Sequence, residues 1–331
     1  MKQVVLSKSP HITSNLGFGT SALIGSNSRA ESLRILETAY DTGIRHYDTA
    51  PLYGSGDAEI VLGEFAQKYR EQITITTKFG LRPMAATSPA TQSLKSVLRK
   101  VMRFTPKLKE WLRRYSGKTI TKSIYSKESL QASLDQSLQK LNTDYIDCFL
   151  LHDCGVSDAT PEVLEFLETA VKAGKILTFG VGTSFAIIQE LAQTQPNLLP
   201  VMQFANNLCL RNAELLLQSP QKSLLEQGSI MITHSPIGDC LKRLRDYWHR
   251  HPQQKQIWQN TLELDLEQNQ IVVALLMSYA VASNPDGIVL FSSNCPHNIG
   301  QNIRNLWEPP FAPAQLAGFT AMTAEVTDRA S

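Results

Sequence analysis

A chain of 331 residues with 42% hydrophobic content is long enough to bury a large core as one or two domains. Its 32 basic and 30 acidic residues leave a net charge of +2, which removes any global electrostatic case for a nucleic-acid or membrane-surface partner. The opening Met1-Lys2-Gln3-Val4-Val5-Leu6-Ser7-Lys8 lacks an apolar core of signal-peptide length, and no run of roughly 18 apolar residues occurs, so a cytoplasmic protein without integral membrane contact is expected.

Along the chain, short β-branched or aliphatic runs alternate with helical patterns. Strands are expected near residues 16–19, 45–48, 73–78, 146–151, 178–181, 199–203, 230–233 and 287–291. Residues 29–42 place Leu33, Leu36 and Tyr40 on one helical face, and residues 127–141 do the same with Leu130, Leu134, Leu138 and Leu141. A helix over 161–173 opens with Thr160 as N-cap and Pro161 at its first position. Strands alternating with helices imply a parallel α/β sheet, and eight such units can close into a (β/α)8 TIM barrel; a doubly wound open sheet is the rival. No Pro- or Ser-rich linker and no sequence repeat divides the chain. Residues 1–331 are therefore read as a single domain with 308–331 as a C-terminal tail.

One pattern is a decoy. Gly17-Phe18-Gly19-Thr20-Ser21-Ala22 satisfies the dinucleotide pattern GxGxxG/A with Glu37 about twenty residues on, yet a loop rather than a helix follows the glycines, and Glu37 falls inside a helical pattern. Cys148, Cys154, Cys209, Cys240 and Cys295 are scattered without a CxxC pair. That spacing argues against a disulfide framework, a zinc ribbon or an iron–sulfur cluster and reads as small core residues.

The informative residues stand at strand ends, where a barrel keeps its chemistry. Asp48 and Tyr53 lie in Asp48-Thr49-Ala50-Pro51-Leu52-Tyr53-Gly54, Lys78 in Thr76-Thr77-Lys78-Phe79-Gly80, and His152 in Leu150-Leu151-His152-Asp153. Together with Gly180-Val181-Gly182-Thr183-Ser184-Phe185, Gln203, Ser235-Pro236-Ile237-Gly238 and the stretch 296–302, these segments resemble the aldo-keto reductase family over roughly residues 12–308. The resemblance implies a barrel that binds NADP or NAD without a Rossmann fold and interconverts a carbonyl (aldehyde, ketone, or sugar lactone or lactol) with an alcohol. It assigns Asp48, Tyr53, Lys78 and His152 as a catalytic tetrad.

The chemistry agrees with that assignment. A carbonyl that accepts hydride becomes an alkoxide and needs a proton donor, which the reverse reaction uses as a base. A phenol of pKa about 10 beside the Lys78 ammonium is expected to be tuned downward, Asp48 to hold Lys78 charged and oriented, and His152 to donate a hydrogen bond to the substrate oxygen. The bland alternatives are a rim aromatic, a solvated lysine and an Asp-Thr turn. A metal-dependent hydrolase built on His46, Asp48, His152 and Asp153 is a rival chemistry, as is a cofactor-binding redox-sensing regulatory protein with little turnover. His249 and His251, in the polar stretch 243–260, read as a solvated face.

For the cofactor, the resemblance points to Gly19, Thr20, Asp48, Thr183, Ser184 and Gln203, with His234 replacing the usual stacking aromatic. Ser235, Pro236, Ile237 and Gly238 continue the pocket. Ser292, Ser293, Asn298 and Asn302 would meet the adenosine end. Where NADP-preferring members place Lys or Arg, this chain has neutral Ser292 and Asn298, which weighs toward NAD or dual use. No metal ligand set is expected.

One segment is unlike the rest. Between Lys95 and Lys122 stand ten Lys or Arg residues and the single acid Glu110, a local +9 within a chain whose total is +2. Interleaved apolar residues suggest a basic amphipathic helix or two, broken near Pro106. Residues 81–125 are read as an insertion after the third strand, a lid for an anionic substrate or an acidic carrier protein, with an anionic membrane surface as the alternative, against the plainer reading of a solvated helix packed on the barrel. Trp111, Trp307 and Phe311 are possible pocket walls.

Overall fold

The computed structural model describes residues 1–6, 11–24, 27–83 and 120–327. Eight parallel strands close into a barrel; we number them β1 (Leu16–Gly19), β2 (His46–Asp48), β3 (Thr74–Phe79), β4 (Ile146–His152), β5 (Ile176–Gly182), β6 (Val201–Ala205), β7 (Ile230–His234) and β8 (Ile288–Phe291). Each pairs with the next, and β8 returns to β1 through Val289 opposite Leu16. All eight expected strands are present, with ends shifted by a residue or two as tertiary pairing extends or trims them. The open doubly wound sheet is thereby excluded.

The helices form where local chemistry starts and stops them. Ser28 caps Arg29–Asp41 in a full capping box with Glu31. Thr160 caps Pro161–Lys172 by accepting from the Val163 amide, and Lys127–Leu141 starts at Ser126 and ends at Asn142 in the left-handed region. Leu130, Leu134 and Leu141 are buried as the periodicity requires. A large apolar cluster, including Ile35, Leu36, Leu62, Phe65, Leu130 and Leu134, joins the helices to the outer face of the sheet.

Strand side chains alternate, so residues two apart share a face. Leu150, Val201, Ile230, Ile232, Ile288 and Leu290 fill the barrel interior together with Val4 and Leu6. Val4 belongs to an antiparallel hairpin, Gln3–Val5 with Ile12–Ser14, that the sequence reading missed because each strand is only three residues long; it plugs the N-terminal mouth. One sector of the interior is polar instead: Thr74 donates to Thr13 at 2.7 Å, His46 Nδ1 lies 2.9 Å from the Thr74 hydroxyl, and His46 Nε2 lies 3.3 Å from the Thr76 hydroxyl.

One expectation is corrected. Cys209 and Cys240 form a disulfide, with Cα atoms 5.7 Å apart and a sequence separation of 31. The barrel closes the loop after β6 onto the start of the helix after β7, a proximity that linear spacing does not reveal; Cys148 and Cys154 are buried free thiols as expected. The polar stretch 243–260 keeps His249 and His251 exposed as expected. It forms helices Cys240–Arg250 and Pro252–Leu262, whose inner sides bury Tyr247, Trp248 and Trp258. The tail folds onto them through helix Pro313–Met322, with Phe319 edge-on to Trp258 at 6.2 Å.

Residues 84–119, which hold most of the basic insertion and Trp111, lie outside the described residues. The described base is a two-stranded antiparallel ribbon, Leu81–Pro83 with Ile120–Lys122. It rises from the end of β3 on the C-terminal side of the barrel.

Candidate active site

Registers at the C-terminal mouth bring the four strand-end residues together. Gly19, Asp48 and Thr76 are neighbours across β1, β2 and β3, Lys78 stands opposite Leu150 and His152 opposite Gly182. The same-face rule puts Asp48, Lys78 and His152 inside the mouth. Tyr53 arrives on a short 3-10 turn, Tyr53–Gly56, whose lead-in is pinned at several points. The Thr49 amide donates to the Thr76 carbonyl at 2.8 Å and the Tyr53 amide to Ala50 at 3.0 Å; the Thr20 hydroxyl donates to the Thr49 hydroxyl at 2.9 Å.

Lys78 is 1% exposed and donates to Asp48 Oδ1 at 2.5 Å, to the Thr49 carbonyl at 3.0 Å and to the Tyr53 hydroxyl at 3.5 Å. The Gln203 amide donates to the other Asp48 oxygen at 2.7 Å. A hydrogen-bonded line therefore runs Gln203, Asp48, Lys78, Tyr53, ending at a phenol on the cavity wall. The rings of Tyr53 and His152 face each other edge-on with centroids 6.4 Å apart.

Burial disfavours the Lys78 ammonium, but the Asp48 carboxylate and the Tyr53 hydroxyl outweigh it and the pKa is raised, so Lys78 stays charged. For Tyr53 the expected downward tuning is not the net result. Burial pushes the phenol above its ordinary value, and the opposing pull of Lys78 recovers only part of the shift. Burial also lowers His152 to about 3, with Lys78 adding to the effect, and lowers His234. At neutral pH the mouth thus holds a protonated phenol, an ammonium–carboxylate pair and two neutral imidazoles. His152 Nδ1 is buried with no hydrogen-bond partner among the described residues, which leaves Nε2 as the nitrogen able to serve the cavity.

The cavity measures about 830 Å³, room for a dinucleotide's nicotinamide half and a small substrate. Of the residues read from the sequence, Gly19, Asp48, Tyr53, His152, Thr183, Ser184, Gln203, His234, Ser235, Pro236, Ile237, Gly238, Ser292 and Asn302 line it. Lys78 lies one layer beneath, and Thr20 is fully buried behind Thr49. Ser293 is engaged with the Cys295 backbone and Asn298 is exposed; neither lines the cavity, and neither do Trp307 nor Phe311. Sequence reasoning passed over Ser21, Ala205 and Leu290, which line it too, as do Leu81 of the expected lid and Asp153 of the metal-site alternative. Ala205, two residues beyond Gln203 on β6, and Leu290, two residues before Ser292 just past the end of β8, were legible.

The metal-hydrolase arrangement does not assemble. His46 is fully buried between Thr74 and Thr76, Asp48 is committed to Lys78 and Gln203, and the described residues contain no group of three or more His, Cys, Asp or Glu suited to a metal. No helix among the described residues is long and apolar enough to cross a membrane.

Comparison with known proteins places this geometry in context. The model of the aldo/keto reductase family matches residues 15–323. A norsolorinic acid reductase of Aspergillus flavus is 32% identical over 171 residues, 51% of this chain and 37% of that protein. A D-threo-aldose 1-dehydrogenase of a Pseudomonas species is 31% identical over 198 residues, 56% of this chain and 55% of that protein. The chain thus spans about half the length, or less, of these curated relatives. Among solved structures, the holo form of an aldo-keto reductase from Bacillus halodurans superimposes with a TM-score of 0.71 at 18% identity, covering 97% of this chain and 96% of that one. At that identity the likeness speaks for the fold.

Proposed function

Because this chain belongs to the aldo/keto reductase family, we propose that it is an NAD(P)-dependent oxidoreductase that interconverts an aldehyde, ketone, or sugar lactone or lactol with the corresponding alcohol. The observation that carries the proposal is the buried Asp48–Lys78 pair reaching the Tyr53 hydroxyl on the wall of a cavity that His152 shares. Relatives named for reductase and dehydrogenase activities support the same class.

The residues fit a nicotinamide cofactor. The Gln203 amide nitrogen is spent on Asp48, so its carbonyl oxygen, beside Gly182, is the group offered to a carboxamide, with Thr183 and Ser184 next to it. Ser235 to Gly238 form a turn with Ser235 and Gly238 in the left-handed region, suited to a phosphate-bearing chain. When bound, the cofactor supplies or accepts the hydride. In carbonyl reduction, Tyr53 donates its proton to the substrate oxygen as negative charge develops there. Lys78 stabilises the phenolate left behind, and Asp48 and Gln203 hold Lys78 in place. His152 donates a hydrogen bond to the same oxygen, fixing the carbonyl and sharing its charge. The raised Tyr53 pKa suits the donor role at neutral pH.

NAD or dual use is favoured over strict NADP use, since no Lys or Arg is among the described lining residues and Ser292 and Asn302 present neutral groups. Separate fluorescence titrations with NADH and NADPH, alongside Tyr53→Phe in an aldehyde-reduction assay, test the reading. Binding of NADH at least as tight as NADPH and loss of turnover in the variant are expected. Failure of both nucleotides to bind would refute it.

A further inference from the structure

We propose that Tyr125, at the exit of the ribbon that follows β3, is a positioning residue for His152; the inference rests on the oxidoreductase reading of the site. Tyr125 is 8% exposed and its hydroxyl donates to the backbone carbonyl of His152 at 2.7 Å. Its ring stands edge-on to Phe79 with centroids 5.0 Å apart, and Phe79 is the residue after Lys78. One side chain therefore touches the ends of both strands that deliver the lysine and the histidine of the site.

The histidine needs this contact for a reason visible in its surroundings. A functional imidazole is ordinarily aimed by a hydrogen bond on its second nitrogen. Here Nδ1 of His152 is buried and no such bond exists among the described residues, so the backbone must carry the aim. His152 is the last residue of β4; the next residue, Asp153, turns into the left-handed region at φ 58°, and its amide is held by the Gly182 carbonyl at 2.8 Å. On the other side β3 ends at Phe79 and Gly80 departs at φ 137°, so β3 supplies no further ladder donor. The Tyr125 hydroxyl takes that place. Gly80 makes room for it, since a Cβ at this position would collide with both the His152 carbonyl and the Tyr125 hydroxyl.

Tyr125 is itself held from both sides. The Ser123 amide donates to the Gly80 carbonyl at 2.6 Å, and Lys122 pairs with Asp158, beyond β4, at 2.7 Å. With the carbonyl and the following amide both tied, the Cα–Cβ direction of His152 is fixed toward the cavity it shares with Tyr53. Small misplacements of a group that orients substrate lower turnover steeply.

Tyr125→Phe keeps the ring on Phe79 and removes only the hydroxyl. The test compares it with wild type, His152→Gln and the double variant, in cofactor titration, steady-state kinetics and the ¹H–¹⁵N imidazole resonances of His152, assigned by their loss in His152→Gln. We expect cofactor affinity unchanged, kcat lowered about tenfold, no further loss on adding Tyr125→Phe to His152→Gln, and displaced His152 resonances. Unchanged His152 resonances, or the same fold loss in both backgrounds, would overturn the proposal. If the wild-type protein reduces no carbonyl, the oxidoreductase reading fails separately, and the resonances still decide whether Tyr125 positions His152.

Discussion

Asp147 and Asp48 are both buried carboxylates on the barrel, 0% and 3% exposed, and their surroundings differ in a way that separates structure from chemistry. Asp147, near the start of β4, has every partner fixed. Arg70 and the Ile75 amide donate to one oxygen at 2.8 and 2.9 Å, His11 Nδ1 lies 2.7 Å from the other, and Arg70 is itself tied to the Tyr145 and Ile73 carbonyls and stacked on Tyr145. None of these residues lines the cavity at the C-terminal mouth. Asp48 is equally well bonded, but its partner Lys78 spends a donor on a phenol that lines the open mouth. A buried charge whose partners are all internal holds the fold; one whose partner passes its influence to a cavity-lining group can drive a reaction.

Three substitutions sharpen the contrast. Tyr53→Phe should lower kcat by about 10²- to 10⁴-fold, the usual worth of a general acid, with little change in the unfolding midpoint because its bond to Lys78 is long. Asp147→Asn should do the opposite. It leaves the Arg70 guanidinium without its charge partner, costs about 3–5 kcal/mol in chemical denaturation, and keeps turnover per folded molecule. Asp48→Asn should damage both. If Asp147→Asn lost turnover and kept its stability, the division drawn here would collapse.

The histidines give a pH test of the same contrast. Burial, opposed in part by Asp48, lowers His46 to about 4, against an unfolded value near 6.5. Above about pH 6.5 neither state is protonated there. As pH falls toward about 4 the unfolded chain takes a proton that the native chain refuses, so stability declines, by up to ~3 kcal/mol from this residue. His46→Gln should flatten that slope in urea melts recorded from pH 7 to 4. Turnover should behave differently: with His152 near 3 and Tyr53 above its ordinary value, kcat for reduction should show no histidine limb near pH 6.5 and no alkaline limb below about pH 10. A limb near pH 6.5 that vanished in His152→Gln would contradict the assignment.

The smallest effect concerns the disulfide. Alkylation of the unreduced, unfolded protein should label three thiols, Cys148, Cys154 and Cys295, and leave Cys209 and Cys240 protected. Five labelled thiols would show that the loops after β6 and β7 are not joined.

Much of this was legible in the chain. The eight strands announced themselves because parallel strands covered on both faces are short apolar runs, and the helices because their apolar positions repeat. The gathering of Asp48, Tyr53, Lys78 and His152 was legible because each ends a strand or follows one closely, and strand ends of a closed barrel share one mouth. Local chemistry suffices for these features, since each depends on residues near in sequence. The tertiary structure alone decided the rest. It joined Cys209 to Cys240, turned half of a polar stretch into an aromatic core with Phe319, set Tyr125 against the His152 carbonyl, and gave Gln203 to Asp48. It also reversed the expected direction for Tyr53, because desolvation depends on how much protein surrounds a group, and no local pattern carries that quantity.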